Sequence, residues 1–342
     1  MEAIAKSFII QISTITASLS YCYLISSRIP KGIYRFISLI PILYIFTILP
    51  LNCSFVLPTA ITFSFTTWLT NFKLIRFAFD LDHSPFNPSD SLVRFIIFTA
   101  LPINSETMHP DHLIKSSPRI YQLKLWIQIV VLSVFIKIVL GYHDQVHQKL
   151  ISFIYGWVLF LLIDIVTAIT NMILFLTIGL ELEPSSYHPY LATSLQNFWG
   201  RWNLLVTNTL RLTVYKPIVV SLPHRKWAPL VGILASFLVS GLMHELFVYQ
   251  LSRAAPTWEM TLFFMLHGIC VVVEMVVKRV VGGGRWRLPG FVGWLMTMVF
   301  VVVTGVWLFV PPFVKGRVDV KMLHEYKYVV NSIKSKYSQI YV

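Results

Sequence analysis

The chain has 342 residues, 56% of them hydrophobic and only 13% charged, with a net charge of +13 from 28 Lys and Arg against 15 Asp and Glu. Soluble domains carry about 25% charged residues, so a water-soluble enzyme and a disordered protein are both excluded. The apolar residues recur from one end to the other, which also argues against a soluble domain on a single anchor.

A membrane-spanning helix needs about 20 mostly apolar residues. Runs of that kind are predicted over 7–25, 33–50, 53–69, 125–142, 150–182, 228–252, 260–281 and 291–314. The first follows Lys6 and lacks the short apolar core and small-x-small exit of a cleavable signal, so it is expected to stay as a span. Only Leu51 and Asn52 separate the second from the third, which predicts a tight helical hairpin. The fifth run is too long for one upright helix and predicts a tilt, a break near Asp164 or an extension past the bilayer. The stretch 92–103 is apolar but short, as an interfacial or re-entrant segment would be. The expected fold is therefore an all-α, polytopic membrane helix bundle of about eight transmembrane helices. It forms a single domain over 1–342, with a motif-bearing loop at about 183–227, a helix at about 228–252 and a basic tail over 315–342. No internal repeat is visible, against the pattern of many transporters.

The charges give an orientation. With eight spans, the loops 26–35, 70–124, 183–227 and 278–290 share one side and hold eighteen of the 28 basic residues. The other side has only Lys6, Lys149 and Arg253 outside the tail, so the positive-inside rule makes the first set cytoplasmic. The tail objects, because its six Lys and Arg would then lie on the far side. Topology and anionic headgroups account for most of a basic inner face. The sharper reading is that part of it meets an anionic cytosolic substrate. Nucleic acid is not an expected partner, since the sequence offers no compact basic soluble domain to hold it.

Cys22, Cys53 and Cys270 lie far apart in apolar sequence and are expected as small core hydrophobes, with no metal spacing among them. Gly282-Gly283-Gly284 has no following Gly-Lys-Ser/Thr and reads as a turn, not a phosphate loop. His109 and His112 read as exposed loop residues.

Ionisable residues inside apolar spans are functional hypotheses by default. Here they are Lys137, Asp164, His244, Glu245, His267 and Glu274. Lys137 is near enough to a helix end to snorkel. Asp164 shares a helical face with Asn171, either to bind helices together or to act. His244 lies about 24 Å along its predicted helix. Ser240 and Gly241, four and three residues earlier, put a small-residue groove on its face, where a backbone or a narrow ligand can approach. Glu245 points about 100° away. His244 reads as a satisfied core histidine or as a general base, since neutral imidazole can take a proton from a hydroxyl near pH 7. His267 and Glu274, seven apart, can pair with each other or face the Glu245 helix. The stretch Leu195–Asn203 holds two tryptophans, an arginine and three amide side chains, the make-up of an amphipathic segment at headgroup level.

These segments carry a resemblance. The chain resembles the plant wax synthase family, long-chain-alcohol O-fatty-acyltransferases with sterol-acylating relatives, within the membrane-bound O-acyltransferase group. The likeness runs through Lys31-Gly32-Ile33, Trp68–Leu74, Tyr190–Gly200, Arg211–Tyr215, Ser240–Glu245 and His267-Gly268. By that resemblance His244 is the catalytic histidine and Asn203 its paired asparagine. Phe198, Trp199, Arg201 and Trp202 belong to the acyl-CoA-side motif. Arg211 and Lys216, with Arg225 and Lys226, are placed to meet the CoA phosphates. Ser240, Glu245, His267, Glu274 and Asp164 are supporting buried polar groups. One departure is visible: the family usually has two arginines after the motif glycine, and here only Arg201 separates Gly200 from Trp202. On a helix that shortening turns Asn203 by about 100°; in a loop it is absorbed.

The resemblance implies acyl transfer from acyl-CoA to a long-chain alcohol, or to a sterol, in the endoplasmic reticulum membrane. His244 would be the base, in an internal substrate tunnel reached from the cytoplasmic side. It implies no metal and no cofactor beyond acyl-CoA as co-substrate. A polytopic transporter and a catalytically inactive membrane protein are the readings from other classes.

Overall fold

The computed structural model describes residues 2–81, 91–101, 118–142, 147–178, 186–280 and 289–340, and every regular element among them is helical. The helices of the N-terminal part are α1 (Glu2–Leu24), α2 (Ile33–Ile48), α3 (Val56–Thr62), α4 (Asn71–Phe79) and α5 (Leu92–Ala100). The long pair α6 (Pro118–Tyr142) and α7 (Gln148–Ile178) follows, then the short α8 (Leu195–Trp202), α9 (Leu204–Leu210) and α10 (Lys216–Ser221). The rest is α11 (Ala228–Ser252), α12 (Glu259–Val280), α13 (Gly290–Thr304), α14 (Pro311–Lys315) and α15 (Val318–Ile340). Three π-helical segments, Phe63–Thr70, Arg211–Tyr215 and Gly305–Phe309, join α3 to α4, α9 to α10 and α13 toward α14. His109, His112 and the three-glycine turn lie outside the described residues.

The chain forms two compact units interleaved in sequence. The first is Met1–Leu101, Met243–Trp258 and Pro312–Val342; the second is Pro102–Leu242 and Glu259–Pro311. Helix α11 gives its first part to the second unit and its last part to the first.

Among the described residues, seven helices are long and apolar enough to cross a membrane, one fewer than expected. The run 53–69 is the difference. Its residues are rich in hydroxyls and sit inside the first unit: Thr66, Thr67, Thr70, Trp68 and Leu69 are all at most 6% exposed. Thr67 and Thr66 donate to the carbonyl of Phe46 at 2.8 and 3.3 Å. A helix whose faces meet protein need not be apolar enough for lipid. The membrane face is carried elsewhere, as on α6, where Trp126, Ile127, Val130 and Val134 are exposed.

Helix α7 runs unbroken through Asp164, so the break anticipated there does not occur. Its 31 residues span about 46 Å, more than the roughly 30 Å hydrocarbon core, which leaves tilt or extension. Asp164 is buried in the second unit and accepts hydrogen bonds from Gln128 (2.8 Å), Lys124 (3.2 Å) and Ser186 (3.1 Å). It fastens α6 to α7 and to the segment leading into α8. Lys137 is exposed on α6.

In the first unit Arg35 and Lys73, two cations of the basic loops, are internal. Arg35 is buried and donates to the carbonyls of Ser27, Ile29 and Phe77. Lys73 is buried and donates to the carbonyls of Phe98 (2.7 Å) and Leu101. These residues close helix ends, so they are not headgroup cations. The tail is anchored as well. Lys321 donates to the carbonyls of Leu251 and Ser252 at 3.2 and 3.0 Å, and Glu325 accepts the Val56 amide at the start of α3 at 2.8 Å. The start of α15 therefore lies at the end of α11 farthest along the chain from loop 183–227. Burial raises the Glu325 carboxyl above the usual range, opposed by the Val56 N–H and the charge of Lys321.

Candidate active site

In the second unit, the motif segment 195–203 folds as one short helix and a break. Ser194 caps α8 by accepting the Asn197 amide at 3.2 Å, and Glu274 on α12 accepts the Gln196 amide at 3.2 Å. An anionic side chain at a helix N-terminus satisfies free N–H groups and the dipole together. Phe198 is buried, with Trp202 at 5.2 Å and Trp199 at 5.4 Å between ring centroids. Trp202 packs in turn on Phe160 of α7 at 5.1 Å. The guanidinium of Arg201 lies 5.8 Å above the Tyr187 ring, while Arg211 and Lys216 are exposed.

Asn203 has extended backbone, with φ −145° and ψ 94°, between α8 and α9. Its side-chain oxygen accepts the Val206 amide at 3.1 Å, so it is the N-cap of α9. This bears on the missing arginine. A one-residue shortening rotates the downstream residues only while the helix continues, and α8 ends at Trp202. The cap engages the amide oxygen and leaves the NH₂ as the group able to donate to a ligand.

The buried histidine of this unit, His267, is saturated. Trp199 Nε1–H donates to His267 Nδ1 at 3.1 Å, which fixes the proton of this neutral ring on Nε2. That nitrogen is 2.8 Å from Thr304 Oγ1, whose hydroxyl donates to the Phe300 carbonyl at 2.7 Å. His267 is 0% exposed, with Phe263, Phe300 and Trp199 rings around it. Its anticipated pairing with Glu274 is not made: Glu274 bonds to the start of α8 and to Lys278. The small-residue groove of α11 is likewise occupied by backbone. A Cβ on Gly241 would stand 2.8 Å from Thr261 Cα of α12, and Ser240 is buried beside it.

In the first unit, His244 is partly exposed and its ring meets Trp68 edge to face, centroids 5.0 Å apart and planes at 85°. Glu245 is buried. Trp68 stands in the π-helical segment Phe63–Thr70, one of three in the chain's described residues and of a rare geometry that is frequent at functional sites. The flanking amides hold the two helices in register. Asn71 of α4 donates to Thr47 Oγ1 at 3.2 Å, and Gln250 of α11 donates to the Thr47 carbonyl at 2.6 Å.

Comparison with known proteins places these two units in a family. The Membrane bound O-acyl transferase family model matches residues 182–266. A long-chain-alcohol O-fatty-acyltransferase of Simmondsia chinensis is 41% identical over 337 residues, 95% of this chain and 94% of its own. The chain belongs to the membrane-bound O-acyltransferase family, with the long-chain-alcohol O-fatty-acyltransferases. A relative in Arabidopsis thaliana named "Probable long-chain-alcohol O-fatty-acyltransferase 3" is 37% identical over 98% of both chains. Acyl-CoA–sterol O-acyltransferase 1 of the same plant is 35% identical over 94% of both.

The family match spans α8 to α11 and the first turns of α12, and so includes Asn203, Ser240 and His244. It stops short of Trp68, which the sequence offered only as part of a family-like stretch with no role attached. The signal that could have found Trp68 is a tryptophan among hydroxyl residues in a run otherwise read as a lipid-facing span. Thr304, the second partner of His267, had no sequence signal at all.

Proposed function

We propose that the protein transfers a fatty acyl group from acyl-CoA to a long-chain alcohol, forming a wax ester and free CoA. In this reading His244 removes the alcohol proton as the oxygen attacks the thioester carbonyl. Asn203 supplies a neutral donor to the reacting groups, an interaction worth about 3–4 kcal/mol of barrier in a dry site. The thioester is already activated, so neither an acyl-enzyme nor a metal or bound cofactor is called on. Phe198, Trp199, Arg201 and Trp202 form the acyl-CoA-side motif, and Arg211 and Lys216 provide cations for the CoA phosphates. An apolar tunnel would bring both lipid chains to His244, and the membrane would be that of the endoplasmic reticulum, where acyl-CoA and fatty alcohols are made.

The observation carrying this reading is the pairing of Phe198–Asn203 with Ser240–Glu245 in a chain 41% identical, over 95% of its length, to an alcohol-acylating relative. A sterol acceptor is the second reading, favoured by the 35% identity to the sterol O-acyltransferase. The test is to express the full chain in membranes lacking both activities and supply labelled acyl-CoA with fatty alcohols or with sterols. Wax ester is the expected product. Sterol ester alone would transfer the assignment to the second reading, and release of neither ester would overturn both.

A further inference from the structure

Trp68 is 6% exposed, and its indole N–H is buried without a hydrogen-bond partner among the described residues. A buried donor left unpaired costs about 1–3 kcal/mol, and such groups in folded proteins call for a specific explanation. Packing alone does not supply one, since phenylalanine would fill an apolar site without the penalty. Three further observations converge on it. The ring lies 5.0 Å from that of His244. The backbone carrying it is π-helical. The helices bearing Trp68 and His244 are each tied to Thr47, through Asn71 and Gln250, so the pair is held from both sides. An unpaired donor fixed beside a base is preorganised for charge that exists only during reaction.

We propose that Trp68 is a further catalytic residue, donating its Nε1–H to the acyl carbonyl oxygen as the alcohol attacks. This rests on the reading of His244 as base. In the step, the alcohol oxygen forms a bond to the thioester carbon, the carbonyl electron pair moves to its oxygen, and the hydroxyl proton passes to His244. Collapse breaks the C–S bond, and the leaving thiolate of CoA takes the proton from His244. The carbonyl oxygen is the atom that gains charge, and indole is a donor only. A donor on the alcohol oxygen would instead weaken the nucleophile.

The test uses the full chain in membranes with two variants, Trp68→Phe and Trp68→3-benzothienylalanine. The second keeps the bicyclic shape and replaces N–H by sulfur. For both, kcat per folded molecule is expected to fall roughly 10²–10³-fold, as for loss of one oxyanion donor, with KM for acyl-CoA and alcohol unchanged. If the benzothiophene variant keeps wild-type kcat, the proposal is overturned, whatever Trp68→Phe does. A rise in KM alone, or a loss of folded protein with kcat per molecule intact, makes Trp68 a packing residue and overturns it equally. His244→Ala separates the two layers. Turnover that survives His244→Ala removes the underlying reading, whereas loss there with normal Trp68 variants removes this inference alone.

Discussion

Each unit of the molecule contains a histidine in an apolar helix with a tryptophan packed edge to face with it, and the two pairs are alike in ring separation and interplanar angle. Trp199 and His267 stand 5.3 Å apart at 89°, Trp68 and His244 5.0 Å apart at 85°. They differ in where the indole proton goes. Trp199 gives its proton to His267, whose other nitrogen meets Thr304, and the histidine is sealed at 0% exposure. Trp68 gives its proton to no partner among the described residues, and His244 is partly exposed. A closed hydrogen-bond chain fixes a fold, because opening it strands a buried polar group. A donor left open beside an imidazole is suited to a ligand. Burial and residue type alone would have ranked His267 the more unusual of the two; hydrogen-bond accounting reverses the order.

Substitutions put this contrast at risk. The largest effect outside the Trp68–His244 pair is expected at Asn203. Asn203→Asp keeps an N-cap oxygen for Val206 but removes the NH₂, and should lower turnover about 10²–10³-fold with the melting temperature little changed. A variant that retains turnover would take Asn203 out of the chemistry and leave it only as a cap. Next is the closed pair. Thr304→Val leaves the His267 Nε2 proton unpaired and should cost about 1–3 kcal/mol of stability, read by thermal unfolding in detergent, while turnover per folded molecule stays the same. A selective loss of turnover would put His267 in the site. Gly241→Ala should push α11 from α12, because its Cβ would meet Thr261 Cα at 2.8 Å. Overpacking of that kind costs about 1–3 kcal/mol, and an unshifted melting temperature would show that the helices separate freely.

The smallest effect is a pH dependence. The Glu325 carboxyl is raised by burial, so the folded state holds its proton more tightly than the unfolded chain. That group's contribution is present below the ordinary carboxylate range and is lost as pH rises through its folded value. Glu325→Gln, still able to accept the Val56 amide, should flatten this part of the stability–pH curve. A curve unchanged by the substitution would contradict the assignment.

The membrane class, the all-helical fold and most spans were legible in the sequence, because hydropathy and composition act locally. Legibility ends where neighbours decide. The run 53–69 satisfied the apolar test on average, yet its threonines are paired inside protein and Trp68 faces His244. Glu274 and His267 share a helical face but bond to different elements, Gln196 and Trp199. Arg35 and Lys73 contributed to a count of loop charges while closing helix ends. Nor does spacing reveal that Asn203 sits at a break, which decides how a shortened motif is accommodated.

The most direct measurement compares His244→Ala with His267→Ala in ester formation from labelled acyl-CoA and a long-chain alcohol, each normalised to folded protein in the same membranes. Loss of a general base typically costs 10²–10⁴-fold; that loss is expected for His244→Ala, with His267→Ala reducing the amount of folded protein but not its turnover. Undiminished turnover by folded His244→Ala would contradict the account.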